Sequence, residues 1–131
     1  MITVGVIKTT KKSGPVKKML HVPSFKLYAV KEIPFSNREV RFAIKSWAMN
    51  WINSMNACKY AVKLYATFWN HPEGWVSLVV DNMNGGSLEN VLQSSGVLPE
   101  SLLKEIAESI LKALLYMHGK AKVAHGGIKP S

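Results

Sequence analysis

The sequence predicts an α+β fold: an antiparallel sheet with one helix inserted before its last two strands, followed by a helical layer. Three observations carry this. Five short segments rich in β-branched and aromatic residues are separated by turn residues. One apolar stripe at helical spacing, Val40, Ile44, Trp47, Ala48, Trp51 and Met55, falls between the third and fourth of them. A second helical pattern opens at Pro99-Glu100, after the last one. Strands first and helices afterwards give an α+β class rather than alternating βα units.

The elements follow in order. Residues 1–8 read as a short strand or a loose terminus, and Thr9 to Pro15 as a turn. Val16 to Val22 is a strand, broken at Pro23, which lacks the N–H a central ladder needs. Lys26 to Ile33 alternates, with Tyr28 and Val30 on one face and Ala29 and Lys31 on the other. Pro34 ends it. Ser36-Asn37-Arg38-Glu39 has the form of a capping box, with Ser36 at the cap and Glu39 reaching back. Val62–Trp69 and Trp75–Asp81 are strands around the turn Asn70-His71-Pro72-Glu73-Gly74. Ser87 caps a short helix through Gln93, and the helix from Pro99 runs to a stop at Gly119. Leu102, Leu103, Ile106, Ile110, Leu111, Leu114 and Leu115 spread over more than one side of that helix. A helix apolar on several sides expects burial all round, so an exposed apolar patch is expected here, either a partner surface or an aggregation liability.

Composition narrows the classes. No apolar run reaches the roughly 18 residues of a membrane span, and Met1 to Val6 lacks the pattern of a signal peptide. The single Cys58 excludes an internal disulfide and fits a reducing, cytoplasmic compartment. Cys58 and the four His lack ligand spacing, so no metal site is expected. The net charge of +9 is concentrated early, at Lys8, Lys11, Lys12, Lys17, Lys18, Lys26 and Lys31. Such a cluster attracts phosphates or is simply a solvated surface. Aromatic residues do not interleave with it as in single-strand binders, and no nucleic-acid partner is expected.

The words Val16-Lys17-Lys18-Met19-Leu20-His21, Tyr28-Ala29-Val30-Lys31, Asn84-Gly85-Gly86-Ser87-Leu88-Glu89-Asn90-Val91-Leu92 and Tyr116-Met117-His118, with His125-Gly126-Gly127-Ile128-Lys129-Pro130-Ser131, occur in one order at one spacing. That set resembles the protein kinase family, and within it the MAP kinase kinases. The resemblance covers about residues 9–131. It implies a kinase-like upper lobe and hinge over 1–83 and the start of a lower lobe over 84–131. It implies ATP as a ligand, and Mg2+ only together with residues that would follow.

Position by position, the resemblance implies a nucleotide site at Gly14, Val16, Ala29, Lys31, Val80, Asp81, Met83 and Ser87. Lys31 takes the place of the Lys that contacts the α- and β-phosphates. Ala29 would leave room for adenine, Val80 falls at the gatekeeper, and Asp81-Asn82-Met83 is the hinge. Of the glycines of the phosphate loop only Gly14 stands; Thr9 and Lys11 replace the others. The helix Glu that would pair with Lys31 falls at Trp47, Ala48 or Met49, none a carboxylate, while Glu39 lies about two turns, roughly 12 Å, too early. Lys31 is then free, or meets Asp81 or a phosphate; Trp47 and Trp51 are expected in the core. In the tail, His125 and Lys129 keep their places in H-R-D-x-K-P-x-N, but Gly126 and Gly127 replace the Arg and the catalytic Asp, and the sequence ends one position before the Asn.

The expectation is a truncated or degenerate MAP-kinase-kinase-like domain with weak ATP binding and no phosphoryl transfer by itself, acting through a partner such as a MAP kinase cascade protein. Two alternatives stand beside it. One is a fragment of an active kinase that phosphorylates a MAP kinase. The other is a basic interaction module, for which Lys17 to Val22 faintly resembles a MAP kinase docking peptide.

Overall fold

The computed structural model describes residues 1–8 and 15–130. In chain order it holds β1 (Ile2–Lys8), β2 (Val16–His21), β3 (Lys26–Pro34), α1 (Arg38–Ser54), β4 (Leu64–Asn70), β5 (Trp75–Asp81), α2 (Leu88–Ser95) and α3 (Glu100–Tyr116). The strands form one five-stranded sheet in the order β1-β2-β3-β5-β4, and every pairing is antiparallel. The first segment is thus a strand, paired to β2 along its length from Ile2↔Leu20 to Lys8↔Val16.

One sheet face is covered by α1. Leu64, Val76, Leu78 and Ala48 form the core there, with Ile33, Ile44, Trp51, Ile52 and Val80 packed around them. Val76 and Leu64 are 0% and 1% exposed. The stripe read from the sequence supplies Ile44, Ala48 and Trp51 to this core, because residues three and four apart share a helix face. Asn56, just after α1, fixes β4 against it: its Nδ2 donates to the Leu64 carbonyl at 2.8 Å, and its Oδ1 accepts from the Leu64 amide at 2.9 Å. The opposite sheet face carries the ion pair Lys17–Glu32 at 2.7 Å.

Two local expectations are corrected. The cap of α1 is Asn37, whose Oδ1 accepts from the Val40 amide at 2.8 Å, so Ser36 and Glu39 do not form the capping box. Gly119 does not stop α3: the helix continues as a π turn over Met117–Ala121 and ends at Lys122 in the left-handed region. Packing explains the second case. Met117 and Ala121 are both buried in a small cluster with Met55 and Cys58, and only continued helical winding brings them there together. Ser87 caps α2 as expected, and it does so in a capping box that the sequence did not signal, with Ser87 Oγ accepting from the Asn90 amide and Asn90 Oδ1 accepting from the Ser87 amide.

The helical layer is held unevenly. No residue of α3 is buried, and Leu102, Leu103, Ile110, Leu111 and Leu115 are exposed, Leu115 to 75%. The apolar patch expected on this helix is therefore present. Its anchor is the π turn at its C-terminal end.

Candidate functional site

The register of three strands builds one surface. Directly opposite residues of an antiparallel pair point to the same sheet face. Val16 lies opposite Lys31 and Lys31 opposite Leu78, while Ala29 lies opposite Val80. Val16, Ala29, Lys31 and Val80 therefore share the face that α1 covers. Lys31 and Val80 line a cavity of about 520 Å3 whose other walls are apolar, including Leu78, Leu64, Ile44, Trp47 and Trp51.

Lys31 is the single charged group in that lining. Among the described residues no carboxylate lies within ion-pairing distance of it. Asp81 is not its partner. Asp81 stands opposite Tyr28, on the other sheet face, where its carboxylate accepts from the Tyr65 hydroxyl at 2.7 Å and from the Lys63 amide at 3.2 Å. Where a helix carboxylate would approach Lys31, α1 presents Trp47 to the same cavity. Trp47 is 42% exposed and rests against Trp51 with ring centroids 5.3 Å apart, so it is not the core residue its spacing suggested. Trp51 does belong to the core, and its indole N–H donates to the Val62 carbonyl at 3.0 Å.

The remaining candidates lie apart from this face. Gly14 falls outside the described residues, as do Thr9 and Lys11. Met83 is exposed beyond the end of β5. The Ser87 hydroxyl is engaged as the α2 cap. His125 and Lys129 line a second cavity of about 470 Å3, together with Gly127, Ile128, Ile110 and Met117. Trp51 and Val62 line both cavities, which therefore share a wall. The sequence offered no signal for Val62, which carries no functional group and is brought there by the approach to β4.

The tail is shaped by its glycines. Gly126 adopts φ +69°, a conformation that strains any residue with a Cβ. Gly127 has open space around its Cβ direction, and its amide donates to His125 Nδ1 at 3.1 Å. The Pro130 carbonyl accepts from the Glu89 amide at 3.0 Å, which ties the tail to the first turn of α2. Of the early lysines, Lys17 is paired with Glu32, and Lys26 donates to the Tyr65 hydroxyl at 3.0 Å. The segment that resembled a docking peptide is β2, hydrogen-bonded to strands on both sides, so it is not a free extended peptide.

A five-stranded antiparallel sheet, one helix packed on the face that carries a strand lysine, and a His-x-x-x-Lys-Pro tail below it define a protein kinase upper lobe with the beginning of a lower lobe. The chain belongs to the protein kinase family: the family model for the protein kinase domain matches residues 11–131. It is similar to mitogen-activated protein kinase kinase 1 of Arabidopsis thaliana, with 33% identity over 119 residues. That match takes in 91% of this chain and 33% of the relative, so the chain spans about a third of the length of that protein.

Proposed function

We propose that this chain is a kinase domain segment of MAP-kinase-kinase type that binds ATP weakly at the Val16–Ala29–Lys31–Val80 face and does not itself transfer phosphate. The residues fit an adenine nucleotide in part. The face offers small Ala29 and apolar Val80 for a flat ring, and one ammonium, Lys31, without an ion-pair partner among the described residues, for phosphate oxygens. Mg2+ would need carboxylates, and the lining of this face offers none. Among the described residues no group of three or more His, Cys, Asp and Glu side chains is placed for a metal. Asp81 is engaged elsewhere.

The observation that carries the reading is the absence of carboxylates at the two places where the reaction needs them. ATP would supply the γ-phosphoryl group. The acceptor hydroxyl must lose a proton to a positioned base, and Gly127 has no side chain to take it. Beside Lys31, Trp47 offers no charge to hold the ammonium toward the phosphates. Phosphoryl transfer is mostly positioning and electrostatic stabilisation, so both losses act on the main terms. His125 and Lys129 remain as parts of the loop without the group they flank.

The same reading places the chain in the cytoplasm, in a MAP kinase cascade, with the exposed face of α3 as the partner surface. No helix among the described residues is long and apolar enough to cross a membrane. Thermal-shift titration with ATP, with and without magnesium, tests the nucleotide claim. A stabilisation that grows with ATP and is weakened about 10- to 100-fold in apparent affinity by Lys31→Met is expected, the loss of one charge-assisted contact. No shift at millimolar ATP sinks it. Phosphorylation of a general substrate by the purified chain overturns the claim of inactivity.

A further inference from the structure

On the outer side of α1, away from the nucleotide face, three cations share one notch. Arg38, Arg41 and Lys45 lie at i, i+3 and i+7, one side of the first two turns of α1. Together with Phe42, Trp69 and His71 they line a cavity of about 370 Å3. A second hollow of about 510 Å3 shares Arg38, Arg41 and His71 and continues over the turn from His71 to Gly74. Arg41 donates to His71 Nδ1 at 3.3 Å. Arginine can only donate, so Nδ1 is the acceptor and the ring hydrogen sits on Nε2, a further donor at the same place. Among the described residues, none of the three cations is in an ion pair. The nearest acidic group in the lining is Glu73, which accepts from the Asn70 amide side chain at 3.0 Å. The N-terminal end of α1 adds its own positive potential.

The lining is also aromatic. Phe42 is 70% exposed. Trp69 stacks on His71 at 19° between planes, and Phe35 closes against both. Three cations call for more negative charge than one carboxylate brings, and a phosphomonoester carries about −1.5 to −2. A notch lined by guanidinium groups, the exposed ring of Phe42 and the half-buried ring of Trp69 matches a phosphate joined directly to an aromatic ring.

We propose that this notch binds an aryl phosphate, the phosphotyrosine side chain of a peptide, with the phosphate on Arg38, Arg41 and Lys45 and the ring against Phe42 and Trp69. Arg is suited to this because its planar fork engages two phosphate oxygens at once. The site is independent of the nucleotide reading, as it lies on different residues of α1.

The test is fluorescence polarisation of a labelled phosphotyrosine peptide with the full chain. The same peptide with phosphoserine, the unphosphorylated peptide, inorganic phosphate as competitor and a single-stranded oligonucleotide serve as the other probes. The phosphotyrosine peptide should bind at least tenfold more tightly than either other peptide, and inorganic phosphate should compete weakly. The exposed pair Arg38→Glu with Lys45→Glu should weaken binding tenfold or more with unchanged circular dichroism, and Phe42→Ala should remove the preference for phosphotyrosine over phosphoserine. Lys31→Met should leave binding intact. Equal binding of the three peptides, equal binding of phosphoserine and phosphotyrosine, tighter binding of the oligonucleotide, or indifference to both variants overturns the proposal.

Discussion

The sheet with α1 and the helical layer after β5 are built on the same chemistry and held very differently. In the sheet region, apolar side chains meet across two faces, and Leu64 and Val76 lose essentially all contact with solvent. In α3, an equally apolar helix has no buried residue, and the buried cluster lies just past its end, where Met117 and Ala121 meet Met55 and Cys58. Apolar content therefore does not predict burial; a facing surface does. The functional residues divide along the same line. Val16, Ala29, Lys31 and Val80 sit on the hydrogen-bonded sheet, whereas His125, Gly127 and Lys129 sit on a tail outside any helix or strand.

The sharpest way to break this comparison is to cut one leucine from each region. Leu64→Ala should destabilise the chain by about 2–5 kcal/mol, the range for a fully buried leucine that leaves a cavity. Leu115→Ala, on the exposed side of α3, should fall within about 0.5 kcal/mol of the parent. Urea melts of the two variants check this, and equal effects would dissolve the distinction.

Asn56→Ala comes next. It removes both hydrogen bonds to Leu64 and leaves that residue's backbone groups unsatisfied, so a loss of about 1–3 kcal/mol is expected in the same melts. Caps give a smaller effect. Asn37→Ala should cost about 1 kcal/mol, and Ser36→Ala close to nothing, which separates the observed cap from the neighbouring candidate. The tail offers a further contrast: Gly126→Ala should be strained by about 1 kcal/mol, and Gly127→Asp, which has open space, should fold as well as the parent.

The smallest effect concerns Lys26. Its pKa is raised chiefly by the hydrogen bond to Tyr65, with Tyr65, Tyr28 and Asp81 adding charge attraction against a desolvation penalty. A raised folded pKa means a contribution present at neutral pH and lost as pH climbs through the folded value. Tyr65→Phe should therefore flatten the alkaline limb of the stability profile, beside a small uniform loss from its hydrogen bond to Asp81, as read by melting temperature against pH.

Much of the fold was legible because strands announce themselves by alternation bounded by breakers, and the limits of Trp75–Asp81 follow from that alone. The α1 cap was not, since Ser36 and Asn37 are both good caps and differ by one register step. The end of α3 was not legible either, because burial of Met117 and Ala121 outweighs the local preference of Gly119. In the candidate site, Lys31 and Ala29 follow from their shared strand. The direction of Asp81 is set by Tyr65 and Lys63 of an adjoining segment, which no local pattern contains. The Arg38–Arg41–Lys45 notch was hidden for a similar reason. Charges at helical spacing read as a solvated face until β4 brings Trp69 and His71 beside them.

The central claim is a nucleotide face on the sheet without a working catalytic loop, and a residue-resolved NMR titration of the full chain with ATP tests it most directly. The account predicts saturable amide shifts at Val16, Ala29, Lys31 and Val80, displaced to about 10- to 100-fold higher ATP by Lys31→Met, with His125, Gly127 and Lys129 unmoved. No saturable shifts on the sheet, or shifts that begin at His125 to Lys129 and survive Lys31→Met, would contradict it.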